Sequence, residues 1–151
     1  MPSLKYAHLE SERRFLLGEL PELAGARVLR ITDRYVEGTR LRVRLVEEDG
    51  QDPVRKLGHK IRPDAELPSV NAHTTLYLDE REHALLCTLP ARLLTKTRHL
   101  RDGWAFDVFP DGLLLAETEL DLTPWFPYLH EVTDDPRYSG AALATATPPG
   151  P

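Results

Sequence analysis

Residues 38–45, Gly38-Thr39-Arg40-Leu41-Arg42-Val43-Arg44-Leu45, alternate arginine with leucine or valine over the length of a strand. Period two sends alternate side chains to opposite faces, so Arg40, Arg42 and Arg44 share one face and Leu41, Val43 and Leu45 the other. Three guanidinium groups on one face repel one another, and that face must meet water or an anion. Leu94-Thr95-Lys96-Thr97-Arg98 repeats the device with Lys96 and Arg98. Carboxylates recur at the same spacing in Glu10-Ser11-Glu12 and Glu117-Thr118-Glu119. A solvated surface with cross-strand ion pairs explains any one of these runs, and explains four together less well.

The basic strands belong to an acidic protein, with a net charge of −5 and a pI near 5.7. That argues against a nucleic-acid partner, whose surface is usually basic over the whole domain, and fits a local anion pocket. The length of 151 residues suits one domain, residues 1–151, with a core over about 8–144 and a flexible tail at 145–151. No apolar run is long enough to span a bilayer and the opening residues lack a secretory h-region, so the expectation is a cytoplasmic protein without a membrane partner, monomer or homodimer. The single Cys87 excludes a disulfide framework, and six scattered histidines lack the spacing of a zinc site.

Alternation and turn signals give eight strands, near 8–17, 27–36, 40–45, 54–62, 73–78, 95–100, 104–109 and 113–121. A helix over Glu80–Cys87 is capped by Asp79, Pro63–Pro68 is a connector, and Pro90–Leu94 suggests a further helical turn. Gly58, between Lys56 and Lys60, would let another group approach the backbone. The fold class is α+β, an eight-stranded antiparallel β-barrel flanked by short helices. The apolar faces of an ordinary barrel point inward. Here the inverted arrangement is also open, because amphipathic helical pieces are available to cover an apolar outer face. The lumen would then be charged, its basic surplus calling for a multiply anionic ligand and its clustered carboxylates for Mg²⁺ or Mn²⁺.

In order along the chain, these residues resemble the motifs of the CYTH or triphosphate tunnel metalloenzyme family, small bacterial type. Glu10-Ser11-Glu12-Arg13-Arg14 resembles its opening Glu-x-Glu-x-Lys strand, Arg42-Val43-Arg44 its Arg-x-Arg strand, Lys60 its strand-four lysine and Lys96-Thr97-Arg98 its Lys-x-Arg. Asp107-Val108-Phe109 resembles the strand that follows, Glu117-Thr118-Glu119 the late Glu-x-Glu, and residues 131–138 the closing segment.

The resemblance implies a tunnel that binds a triphosphate along basic residues and hydrolyses it with a divalent metal, Mg²⁺ or Mn²⁺. It implies Glu10, Glu12, Glu117 and Glu119 as metal ligands and Arg14, Arg42, Arg44, Lys60, Lys96 and Arg98 as the binders of a small polyanionic substrate. Glu12, Glu117, Glu119 and Arg14 are the candidate catalytic residues, with Asp107, Lys56 and Arg40 behind them. Three strands depart from the family. Arg14 stands for the motif lysine and stays protonated, Lys56 rivals Lys60, and His73 and Thr75 stand where an acidic or basic lumen residue is expected. An adenylate cyclase and a non-catalytic triphosphate- or polyphosphate-binding module are the alternative functions. Tripolyphosphate and an organic triphosphate remain equal candidates for the substrate.

Overall fold

A computed structural model describes residues 4–63 and 69–146, and there the alternating stretches become an antiparallel sheet of eleven strands. Nine come first: β1 (His8–Ser11), β2 (Arg13–Leu16), β3 (Arg27–Val36), β4 (Leu41–Glu47), β5 (Val54–Ile61), β6 (Val70–Leu78), β7 (Ala91–Arg101), β8 (Trp104–Val108) and β9 (Leu114–Thr118). β10 (His130–Glu131) and β11 (Thr145–Ala146) have two residues each, and the helices are α1 (Glu80–Leu86) and α2 (Gly140–Leu143).

The hydrogen-bonded order is β1-β6-β5-β4-β3-β7-β8-β9-β2-β10, with β11 on the side of β7. This path is open, yet β1 at one end is followed directly in sequence by β2, the last strand but one at the other end. Only Glu12 separates β1, which pairs with β6, from β2, which pairs with β9, and the Glu12 N–H still donates to the Ser69 carbonyl at 3.1 Å. The bent first strand therefore bridges the two edges, and the sheet wraps into a tunnel.

Several boundaries differ from the sequence expectation. The single strand 8–17 is broken at Glu12, because its two halves serve different neighbours. Residues 91–94 extend β7 instead of forming a helical turn, since they pair with residues 33–36 of β3. The expected strand at 73–78 starts at Val70, where it pairs with β1. The expected strand at 113–121 is shorter, β9 ending at Thr118. Arg40 lies in the turn before β4 and outside the strand. Of the tail, Thr145 and Ala146 pair with β7, while 147–151 and the connector residues 64–68 lie outside the described residues.

Two apolar clusters lie on opposite faces of the sheet. The outer one joins Phe15, Leu17, Trp104, Phe106, Ala116 and Phe126. The Phe126 ring stands edge-on to Trp104 and Phe106 with centroids at 4.8 and 5.0 Å. Loops carrying Leu20, Leu23, Leu122 and Phe126 cover this face, which corrects the expectation that helices would do so. Of the two helices, α1 lies against β5 and β6, with Asp79 forming the capping box through the Glu82 N–H at 2.7 Å. The inner cluster joins Leu94, Phe109, Leu115, Val132 and Ala144, with Tyr35, Tyr138 and Leu143 packed against it. The C-terminal segment thus packs apolar side chains against the inner face of the sheet. The rest of that face is left to polar groups.

Candidate active site

Cross-strand register assembles the interior. Arg42 is opposite Tyr35 and Gly58, Arg44 opposite Asp33 and Lys56, Lys60 opposite His73, Arg14 opposite Glu117, and Arg98 opposite Asp107. Partners in register share a face, so all of these point the same way. One cavity of about 640 Å³ is lined by Arg14, Arg42, Arg44, Lys56, Lys60, Lys96 and Arg98 together with Glu10, Glu12, Glu117 and Glu119. The inverted arrangement holds, and both rival lysines of β5 face inward. Arg40 lines an adjoining cavity of about 470 Å³ that shares Arg42, Lys60 and His73 with the first.

Part of the interior charge is neutralised within the protein. Asp33, fully buried, accepts two hydrogen bonds from Arg44 at 2.7 and 2.8 Å. Asp107, equally buried, accepts two from Arg98, both at 2.8 Å, and has Lys96 Nζ at 2.9 Å. Arg14 donates to Glu117 at 3.0 Å and to Glu12 at 3.1 Å. Burial alone would raise these carboxyl groups. Arg44 outweighs it at Asp33, Lys96 and Arg98 at Asp107, and Arg14 and Lys96 at Glu117, so all three are held below the usual carboxylate range. Lys96 responds oppositely: burial and then Arg98 push its pKa down.

Other cations lack such partners. Arg42 is buried, its Nε has no hydrogen-bond partner, and burial and then Arg44 lower its pKa. Lys56, whose pKa is lowered by burial and by Arg44, stands 5.5 Å above the Tyr77 ring; among the described residues no carboxylate pairs with it. Lys60 is held loosely, 3.7 Å from Glu12.

The four candidate carboxylates do not form one group. Glu10, Glu12 and Glu119 each bring an oxygen within 4.8 Å of the others, whereas Glu117 lies among Arg14, Arg98 and Lys96. The division follows from where β9 stops. The Thr118 hydroxyl donates to the Gly103 carbonyl at 2.9 Å and accepts the Leu120 N–H at 3.1 Å, so Glu119 stands outside the ladder. Burial, then Glu10 and Glu12, raise the Glu119 pKa. Three hard oxygen donors that crowd one another suit Mg²⁺ or Mn²⁺.

The sequence reading assigned no site role to Asp33 or Tyr35. The signal for Asp33 was its register opposite Arg44, found by counting back across the turn at 37–40. His73, whose departure from the family pattern was apparent, has Nδ1 at 3.1 Å from Glu10 Oε1.

In sequence the chain matches no protein-family profile and no curated protein. In structure it is similar to the inorganic triphosphatase NE1496, with a TM-score of 0.57 and 24% identity over 93% of this chain and 97% of that one. This chain has the fold of that triphosphatase. A second structure of NE1496 gives a TM-score of 0.55 at 24% identity, covering 92% of this chain and 99% of that one. The protein PH1819 of Pyrococcus horikoshii gives 0.53 at 15% identity, over 77% and 80% of the two chains. The tunnel fold implied by the ordered strand motifs is therefore the fold found. No helix among the described residues is long and apolar enough to cross a membrane.

Proposed function

We propose that the protein is a divalent-metal-dependent triphosphatase. The observation that carries this reading is one cavity holding both a cluster of three carboxylates and three cations, Arg42, Lys56 and the loosely paired Lys60, that no carboxylate among the described residues holds at hydrogen-bond distance. The likeness to NE1496 supports the reaction class. Glu10, Glu12 and Glu119 would hold Mg²⁺ or Mn²⁺; the bound ion supplies charge neutralisation at the phosphoryl oxygens and a more acidic water. Arg42, Lys60 and Lys56 bind the non-reacting phosphates. Arg14 and Arg98, held by Glu117 and Asp107, offer fixed donors to charge that develops during transfer. Water attacks the terminal phosphorus in line, the anhydride P–O bond breaks, and phosphate and the shortened leaving group depart. Arg14 remains protonated throughout and orients rather than deprotonates.

Purified protein incubated with tripolyphosphate, ATP or thiamine triphosphate, with Mg²⁺, Mn²⁺ or EDTA, should release phosphate in the metal-containing reactions. Release of cyclic AMP from ATP would make it a cyclase. Tight binding without turnover of any substrate would leave a binding module, and full turnover in EDTA would overturn the role of the carboxylates. Glu119→Gln should abolish turnover, since it replaces an anionic oxygen ligand of the cluster by a neutral amide.

A further inference from the structure

Arg42 Nε and His73 Nε2 are buried side-chain atoms with no hydrogen-bond partner among the described residues, and both side chains border the same space beside Gly58. A Cβ built on Gly58 would lie 3.0 Å from His73 Nε2 and 3.2 Å from Arg42 Nη2. The bare glycine is the gap into which imidazole and guanidinium both lean. On its far side the ring is held by Glu10 Oε1, 3.1 Å from Nδ1. A carboxylate there favours the tautomer with the proton on Nδ1, which leaves the Nε2 lone pair on the side of Arg42. His73 thus stands between the carboxylate cluster and an inward-facing arginine that no carboxylate among the described residues holds.

We infer that His73 is a positioning residue: its ring, clamped by Glu10 and seated over Gly58, fixes where the Arg42 guanidinium meets a phosphate oxygen. Tyr35, opposite Arg42 in register, also hydrogen-bonds the guanidinium, and any freedom that Tyr35 and His73 leave it is lost when the anion arrives, which weakens binding. This inference rests on the triphosphatase reading for the identity of the anion. It goes beyond that reading in giving a task to a residue that is neither a proposed metal ligand nor a phosphate donor.

The test compares His73→Ala, His73→Asn and Gly58→Ala in the full chain. It reads tripolyphosphate affinity by calorimetry in EDTA, KM and kcat with Mg²⁺, and Mn²⁺ affinity by electron paramagnetic resonance. Losing the ring that confines the Arg42 side chain, His73→Ala should weaken tripolyphosphate binding and raise KM about tenfold with kcat within about twofold. His73→Asn restores a donor toward Glu10 and should recover Mn²⁺ affinity while leaving tripolyphosphate binding weak. Gly58→Ala crowds both side chains and should reproduce the rise in KM, with the His73→Ala/Gly58→Ala double variant no worse than the single ones. An unchanged KM in a folded His73→Ala protein, or additive losses in the double variant, overturns the inference. If Gly58→Ala fails to fold, the two His73 variants still decide. If the wild-type protein binds tripolyphosphate without hydrolysing it, the triphosphatase reading falls, and the calorimetric series judges His73 separately.

Discussion

Arg42 and Arg44 lie two residues apart on the same face of β4, yet they belong to different halves of the interior. Arg44 is fixed to Asp33, as Arg98 and Lys96 are to Asp107 and Arg14 is to Glu117. Among the described residues Arg42 and Lys56 of the neighbouring β5 pair with no carboxylate, and Lys60 has only a loose one, Glu12 at 3.7 Å. A buried cation that already has its acid stabilises the fold and holds a fixed donor in place. A buried cation without one destabilises the empty protein, and a phosphate relieves that cost on binding. The difference separates the charges that build the tunnel from those that wait for the ligand.

Substitutions on each side break or sharpen this division. The largest effect is expected from Asp107→Ala, which strands Arg98 and Lys96 in the interior. Loss of one partner of a buried ion pair costs about 3–5 kcal/mol, lowering the melting temperature by about 10 °C in a calorimetric scan. Arg42→Ala should do the reverse: about a hundredfold loss of tripolyphosphate affinity, the worth of two charge-assisted hydrogen bonds, with an unchanged or slightly higher melting temperature. If Arg42→Ala lowers the melting temperature as far as Asp107→Ala does, the division is wrong.

Acid titration is the next test. Asp33 and Asp107 have folded-state values below their ordinary 3.8, and Glu117 below 4.5. Their contribution is fully present above the unfolded-chain values and drains away as pH falls through that range toward the lower folded ones. Denaturant midpoints should therefore be flat above about pH 5 and fall steeply below about pH 4. The Asp107→Ala variant should show a shallower fall. The smallest effect belongs to the carboxylate cluster. Glu119, raised by burial and then by its like-charged neighbours, opposes folding in the metal-free protein at neutral pH, and Glu119→Gln should raise the melting temperature in EDTA by up to about 2 °C. The same variant should lose the upward shift that millimolar Mg²⁺ gives the wild-type protein.

The sequence showed which strands carry charge and which side chains share a face, since period two determines both. It did not show where those strands end. Glu117 and Glu119 have the same parity and read alike, and only the stop at Thr118 sends one into a cage of cations and the other to Glu10 and Glu12. Asp33 escaped notice for a related reason: its meaning depends on its position opposite Arg44 and Leu94, a matter of register across a turn and a distant strand. Residues 91–94 misled because propensity at Pro90 was overridden by pairing with β3. The glycine of β5 was legible as a close approach, but not that both His73 and Arg42 would use it.

The bend at Glu12 also bears on how the molecule is made. Because the first strand closes the seam by pairing with residues as late as Thr118, a ribosome must deliver most of the polypeptide before the N-terminal segment can find its second neighbour. Glu10 and Glu12 sit on that last-fastened piece, so the proposed metal site comes into being only once the rest of the tunnel is in place.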